Sequence, residues 1–429
     1  MPLIGTVVIR AGLVLILASI CLYASGPRAS AWGRRAYLGA AACVLVAATL
    51  LQILLQEHRF DVEYVYHYSA RGLNPFYLLA TFWAGQEGSF LLWAFWIALL
   101  GVIVDARCGT LMGHRVMPFY GAILGFLMII LTIKSPFAPA PGPLQSDGMG
   151  LQPLLENPWM VIHPPTLFLG FALSAVPFAY CMAALAHGDN ESWYRPIWPW
   201  ALLCFGVLGF GVMLGGYWAY ETLGWGGFWG WDPVENGPLV PWLLIGAFVH
   251  GVQVQHARGA LKRSVYLLGA LPFLATLYET FLTRTGILSN FSNHSFSTLG
   301  GPANGVILWF MLGAMALAIG LIVARGRAKV GSVSVWARPV SREFALTMSI
   351  VIMIACALIT GIGMSAPLIT QLGVKLGWIA HQSSVQAGYY DKANFPIAVL
   401  LGFGMAIGPF LAWESNGAAR ADVLYKAWA

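Results

Sequence analysis

The chain has 429 residues, of which 59% are hydrophobic and 9% charged. Soluble domains carry about 25% charged residues, so this composition excludes a soluble globular fold and predicts a polytopic membrane protein. The formal charge of +6 does not indicate nucleic acid binding, because the basic residues lie in short loops between apolar runs.

A bilayer span needs about 20 predominantly apolar residues. In chain order, candidate helices fall at 3–24, 36–55, 86–104, 117–134, 164–186, 199–220, 237–255, 264–282, 303–324, 344–364 and 394–413. Arg10 sits inside the first apolar run rather than before it, and no small-residue cleavage site precedes a soluble domain. The first segment therefore reads as an uncleaved helix. Alternate loops carry 16 Lys and Arg on one side of the membrane and six on the other. The richer side belongs in the cytoplasm. The expected fold is thus all-α, a single integral membrane domain over 1–429 with about 11 transmembrane helices, N-terminus outside and C-terminus cytoplasmic. The loops at 135–163, 221–236, 283–302 and 365–393 then share the outer face. Six cysteines occur, none in a CxxC pair. Five fall inside predicted spans and Cys108 at an inner end, so neither disulfides nor thiol chemistry are expected.

The segment Trp225-Gly226-Gly227-Phe228-Trp229-Gly230-Trp231-Asp232-Pro233-Val234-Glu235-Asn236 joins the sixth and seventh spans. A short membrane-edge loop gains little from so many large aromatics unless they cover something. Glycines let backbone approach a ligand closely, and flat aromatic faces suit a flat apolar ligand such as a porphyrin. Asp232-Pro233-Val234-Glu235 also has the pattern of a capping box, with a good N-cap residue, Pro at the first helical position and Glu at the third. Capping and ligand contact are compatible roles for Asp232, since a rigid helix start would fix Trp229 and Trp231.

Three histidines stand out. His163 precedes Pro164 and Pro165 at a predicted helix start. It reads either as an entry turn with a partial cap or as an axial ligand to haem iron, which needs a neutral imidazole nitrogen on a fixed support. His294, in the polar loop Ser289–Phe296, reads either as a solvated loop residue or as a second ligand on the same face. His250 lies about 20 Å deep in the seventh span. An ionisable group at that depth is costly: it reads as a ligand to a haem within the bilayer, or else as a neutral His hydrogen-bonded to another helix. Arg284, at an outer helix end, would meet haem propionates or pair with Glu279. The run Trp83-Ala84-Gly85-Gln86-Glu87-Gly88-Ser89 opens the third span, with Glu87 near the positive end of the helix dipole.

These residues carry a family resemblance. The pattern WGxxWxWD over Trp225 to Asp232 resembles the signature of the haem-handling WWD proteins, and within them the chain is similar to the CcmF family of cytochrome c-type biogenesis proteins. Gly85 to Trp93, Asn157-Pro158 with His163-Pro164-Pro165, Arg284-Thr285-Gly286 and Arg342-Glu343-Phe344 match in order along nearly the whole chain. The resemblance implies a haem lyase subunit in a bacterial inner membrane, acting with other subunits. His163 and His294 would ligate haem, the transient substrate, delivered by the chaperone CcmE. The WWD loop, with Trp225, Gly226, Phe228, Trp229, Trp231 and Asp232, would hold that haem, and Arg284 would meet its propionates. His250 would ligate a resident b haem, reduced by quinol, that passes electrons to the incoming iron. Haem vinyl groups would then form thioethers with the CxxCH cysteines of apocytochrome c, presented by CcmH- and CcmI-type subunits.

Two departures accompany the resemblance. Family members continue with further spans, including a second transmembrane histidine, beyond the point where this sequence ends. Either a second polypeptide carries that part, or the chain is shortened, or the haem on His250 is five-coordinate or absent. The interval from Arg284 to His294 is also two residues longer than the usual pattern. The alternatives are a CcmC-type protein that presents haem without attaching it, and a non-catalytic assembly scaffold. An ion-coupled permease would place paired charges mid-membrane, and almost none occur there.

Overall fold

The computed structural model describes residues 1–189, 193–224, 226–292, 299–325 and 341–413, with backbone alone at 109–111. Trp225 and His294 therefore lie outside the described residues. The helices are α1 (Pro2–Ala24), α2 (Ser30–Gln56), α3 (Glu63–Tyr68), α4 (Pro75–Ala80), α5 (Gln86–Ile133), α6 (Pro158–His187) and α7 (Tyr194–Thr222). They continue as α8 (Pro233–Arg258), α9 (Ser264–Arg284), α10 (Gly301–Arg325), α11 (Arg342–Met364), α12 (Ala366–Lys375) and α13 (Ala387–Ile407). Among the described residues no strand forms, and Val62 and Pro139 make one isolated bridge. Among the described residues eleven segments are long and apolar enough to cross a membrane, one for each predicted span.

The helix ends differ from the sequence expectation at several places. α5 has helical backbone from Gln86 to Ile133, through the predicted inner loop. A straight helix would separate Ile97 and Tyr120 by about 35 Å, yet the Tyr120 hydroxyl donates to the Ile97 carbonyl over 3.1 Å. The element therefore folds back on itself between its two spans. The predicted outer loops are also less irregular than expected. They contain α3, α4, α12 and the first turns of α6, α8 and α13.

α1 and α2 pack on each other and on both halves of α5. Tyr37 of α2, fully buried, donates to the Ile97 carbonyl at 3.2 Å. α5 also contacts α6, which pairs with α7 and α9, while α8 packs on α7, α9 and α11, and α13 lies on α11. Most of the core is thus one apolar cluster spanning α1 to α11, with a small separate one at Val254 and Ala260. At one end of the bundle sit the first turn of α6, the α7–α8 loop, the end of α9 and the start of α13. This aromatic end carries the residues described next. At the opposite end, Arg258 pairs with Glu343 at 3.2 Å and Arg34 with Asp105 at 3.0 Å.

Candidate functional site

The first turn of α6 is set by Asn157, whose side chain accepts from the Trp159 amide at 2.9 Å, with Pro158 at the first helical position. Such a cap is worth about 1 kcal/mol. It starts the helix early, so His163 lies inside α6 rather than ahead of it, correcting the expected start at residue 164. Pro164 and Pro165 are tolerated within the helix. Pro164 has no N–H, so the Met160 carbonyl loses its helical donor. The Trp83 indole donates to that carbonyl instead, at 3.0 Å. This bond ties the approach to α5 to the first turn of α6.

His163 faces α7. Its Nδ1 lies 2.8 Å from the Gly211 carbonyl. A carbonyl only accepts, so in the neutral ring Nδ1 carries the proton and Nε2 carries the lone pair. The ring is packed over Gly215, where a β-carbon would come within 2.6 Å of Cε1. Gly211 and Gly215 are site residues that the sequence reading missed. Their signal is the run of glycines at 209, 211, 215 and 216 along α7.

The α7–α8 loop is built from both ends. On the α7 side, Phe228 stacks on Tyr220 with centroids 4.4 Å apart and planes 7° apart, and it is 51% exposed. Gly226 takes the left-handed conformation, φ 71°. Among the described residues no atom lies within 4 Å of a β-carbon built at Gly224, Gly226 or Gly227, which suits close approach of a ligand.

On the α8 side the expected capping box is present. Asp232 accepts from the Val234 amide at 2.8 Å, and Glu235 accepts from the amides of Gly230 and Asp232 at 2.9 and 3.2 Å. Asp232 also accepts from the Ser292 hydroxyl at 2.7 Å, joining the loop after α9 to the same helix start. Trp231 adopts φ 55°, an uncommon conformation for a bulky residue. Its carbonyl accepts from Asn236, its indole stacks on Tyr390 of α13 at 5.0 Å and 7°, and its N–H donates to Asp391 at 2.7 Å. Trp229 meets Trp231 edge to face at 6.1 Å. The buried Trp229 indole N–H has no hydrogen-bond partner among the described residues.

Arg284 is 9% exposed and lies between the rings of Phe90 and Phe168, 5.7 and 5.9 Å from their centroids. The carboxylates of Glu279 and Glu87 both act on it. The structure thus encloses Arg284 against aromatic rings, away from solvent. The glycines near Glu87 serve packing. Tyr64 donates to the carbonyl of Phe82 at 2.8 Å and accepts from the Gly85 amide at 3.0 Å, directly over Gly88. Burial pushes the Tyr64 phenol well above its ordinary value, keeping it a donor.

His250 lies on α8 about 25 Å along the axis from Pro233. Its Nδ1 is buried without a hydrogen-bond partner among the described residues. Gly246, one turn earlier on the same face, contacts Phe205 of α7 and Met353 of α11. A buried ring nitrogen left unsatisfied deep in a span is costly and needs an explanation such as a ligand. Among the described residues no group of three or more His, Cys, Asp or Glu could hold a metal ion.

Fold and site together define a multi-pass helical membrane protein with a capped, glycine-spaced aromatic loop beside a tautomer-fixed histidine. Residues 83–288 match the family described as Cytochrome C assembly protein. That stretch is a little under half of the chain, and most of the chain's length is similar to CcmF proteins. It is 34% identical over 404 residues to the cytochrome c-type biogenesis protein CcmF of Pseudomonas fluorescens, covering 92% of this chain and 58% of that one. It is 35% identical to CcmF of Escherichia coli K12, covering 82% and 54%. It is 32% identical to the probable cytochrome c-type biogenesis protein NrfE of the same organism, covering 84% and 64%. A solved structure named Cytochrome c Heme Lyase CcmF superposes on all of this chain and 64% of its own, with TM-score 0.76 and 28% identity. The chain therefore spans roughly three-fifths of the length of the relatives it matches.

Proposed function

We propose that this chain is the haem-handling core of a cytochrome c haem lyase, working on the outer face of a bacterial inner membrane. The observation that carries the reading is the bond from His163 Nδ1 to the Gly211 carbonyl, which sets a neutral imidazole with its lone pair on Nε2 against α7 near the aromatic loop. A backbone acceptor on Nδ1 is the support that haem- and metal-binding histidines use.

In this reading the substrate is haem handed over by a CcmE-type chaperone. His163 holds the iron from one side and His294 from the other. Trp225, Phe228, Trp229 and Trp231 cover the macrocycle, the glycines bring backbone to its edge, and Asp232 fixes the helix start beneath it. Each cysteine thiol of the apocytochrome CxxCH motif then adds across a vinyl group. A C–S bond forms, and the thiol proton goes to the other vinyl carbon. The chain's part is to hold the macrocycle still and its vinyl edge open. CcmH- and CcmI-type subunits would present the apocytochrome. Arg284, enclosed by Phe90 and Phe168, supplies positive charge behind the site.

His250, with its buried unsatisfied nitrogen, would hold a resident b haem. When bound, that haem supplies an electron, taken from quinol, that keeps substrate iron ferrous.

The test is His163→Ala in cells co-expressing a c-type cytochrome. Haem-stained cytochrome should vanish, while the b-type absorption of the purified chain persists. Surviving maturation would reduce His163 to a packing residue of α6.

A further inference from the structure

Trp231 is held by the last helix of the described chain. Only two residues of α13, Tyr390 and Asn394, are buried, and one of them carries the stack on Trp231. Tyr390 itself is 1% exposed and is seated over Gly363 of α11, where a β-carbon would come within 2.5 Å of its ring. Asn394 donates to Thr360 of α11 at 3.2 Å. The stacking platform is therefore anchored to α11, and its phenol is also tied to Asn236 at the start of α8. Beside it, Asp391 receives the Trp231 indole N–H. A tryptophan at φ 55° persists only where its surroundings over-determine it. Here the restraints are the Asn236 bond to its carbonyl, the ring stack and the indole bond.

We propose that Tyr390 and Asp391 are positioning residues of the haem-holding loop: one fixes the plane of the Trp231 indole and the other its rotation about that plane. Tyr390 covers one face of the ring, so α13 also decides which face Trp231 can offer a flat ligand. The inference rests on the reading of this loop as a haem site, but the placement of the indole can be tested apart from it.

The test uses the full chain in detergent. The indole N–H band of ultraviolet resonance Raman spectra reports hydrogen bonding of tryptophan. Subtracting Trp231→Phe isolates this residue from the other tryptophans. Ferric protoporphyrin IX is then titrated and followed by Soret difference spectra. Asp391→Leu should move the Trp231 band to that of an unbonded indole, while Asp391→Asn, which keeps an acceptor, should not. Asp391→Leu and Tyr390→Leu should each weaken porphyrin binding about tenfold, and Tyr390→Phe and Asp391→Asn should restore it. Asp391 is exposed, so its replacement tests the proposal even where Tyr390→Leu fails to fold.

An unchanged Trp231 band in Asp391→Leu overturns the proposal. So does unaltered porphyrin binding in both leucine variants while Trp231→Ala weakens it. If Trp231→Ala itself leaves binding unchanged, the haem reading of the loop falls, and the Raman band still decides whether Asp391 fixes the indole.

Discussion

His163 and Gly215 are packed so closely that a β-carbon at position 215 would meet the imidazole Cε1 at 2.6 Å. The imidazole can move only by giving up its bond to Gly211 or by shifting α6 away from α7.

Gly215→Ala should therefore mimic loss of His163 without touching it. Overpacking at such a contact costs about 1–3 kcal/mol, part of which is relieved by turning the ring. Cytochrome c maturation should fall to near the His163→Ala level, while the protein remains in the membrane in normal amount. Haem-stained gels set against immunoblots of the chain measure both. Normal maturation in Gly215→Ala would show that the ring need not hold its present position.

His250→Ala should abolish the reduced-minus-oxidised b-type signal of the purified chain. It should leave capture of ferric porphyrin at the aromatic end intact, because His250 lies far down α8 from Trp231. Maturation retained without that signal would favour the scaffold alternative.

Asp232 serves the helix start and the Ser292 contact at once. Asp232→Ala should destabilise the chain by about 1 kcal/mol from the cap, read as a lower thermal midpoint in detergent. Asp232→Asn should retain most of that stability, since an amide oxygen also accepts from the Val234 amide.

The loop before α6 supplies a pH dependence. Asp147 accepts from the Arg71 and Gly148 amides at 2.9 and 2.8 Å, and these bonds hold its carboxyl below the ordinary value. A depressed folded pKa means that the contribution is present above the unfolded value and is lost as pH falls through the folded one. Exchange of the Arg71 and Gly148 amides with deuterated water should accelerate, beyond the intrinsic trend, as pH drops below the usual carboxylate range. Equal protection at acid and neutral pH would show that the carboxylate does not hold the loop.

The spans were legible because a bilayer demands long apolar runs, and composition alone reveals those. The capping box at Asp232 was legible for the same local reason: its partners lie within a few residues. His163 could be picked out but not placed. The start of α6 depends on Asn157, and the tolerance for Pro164 depends on an indole at Trp83, 77 residues before the Met160 carbonyl it serves. The turn inside α5 was legible as a break between two spans; that the backbone stays helical through it was not. Gly215 was missed because its value lies in what it lacks, and only the neighbouring helix reveals that. Arg284 was read as a boundary charge; the rings of Phe90 and Phe168, from two other helices, enclose it. Tyr390 and Asp391 carry no motif, and their relation to Trp231 exists only in three dimensions.

The hold of α13 on Trp231 has a consequence for biosynthesis. Asp391 follows Trp231 by 160 residues, and chains are made at about 5–20 residues per second, N-terminal part first. Roughly ten to thirty seconds separate the emergence of the loop from that of its support. During that interval α7 and α8 can insert and cap, yet the tryptophan at φ 55° has neither its stacking partner nor its carboxylate. The aromatic loop is thus finished late, by a helix near the far end of the chain, and a nascent protein stalled before α13 would carry the sequence signature without the shape.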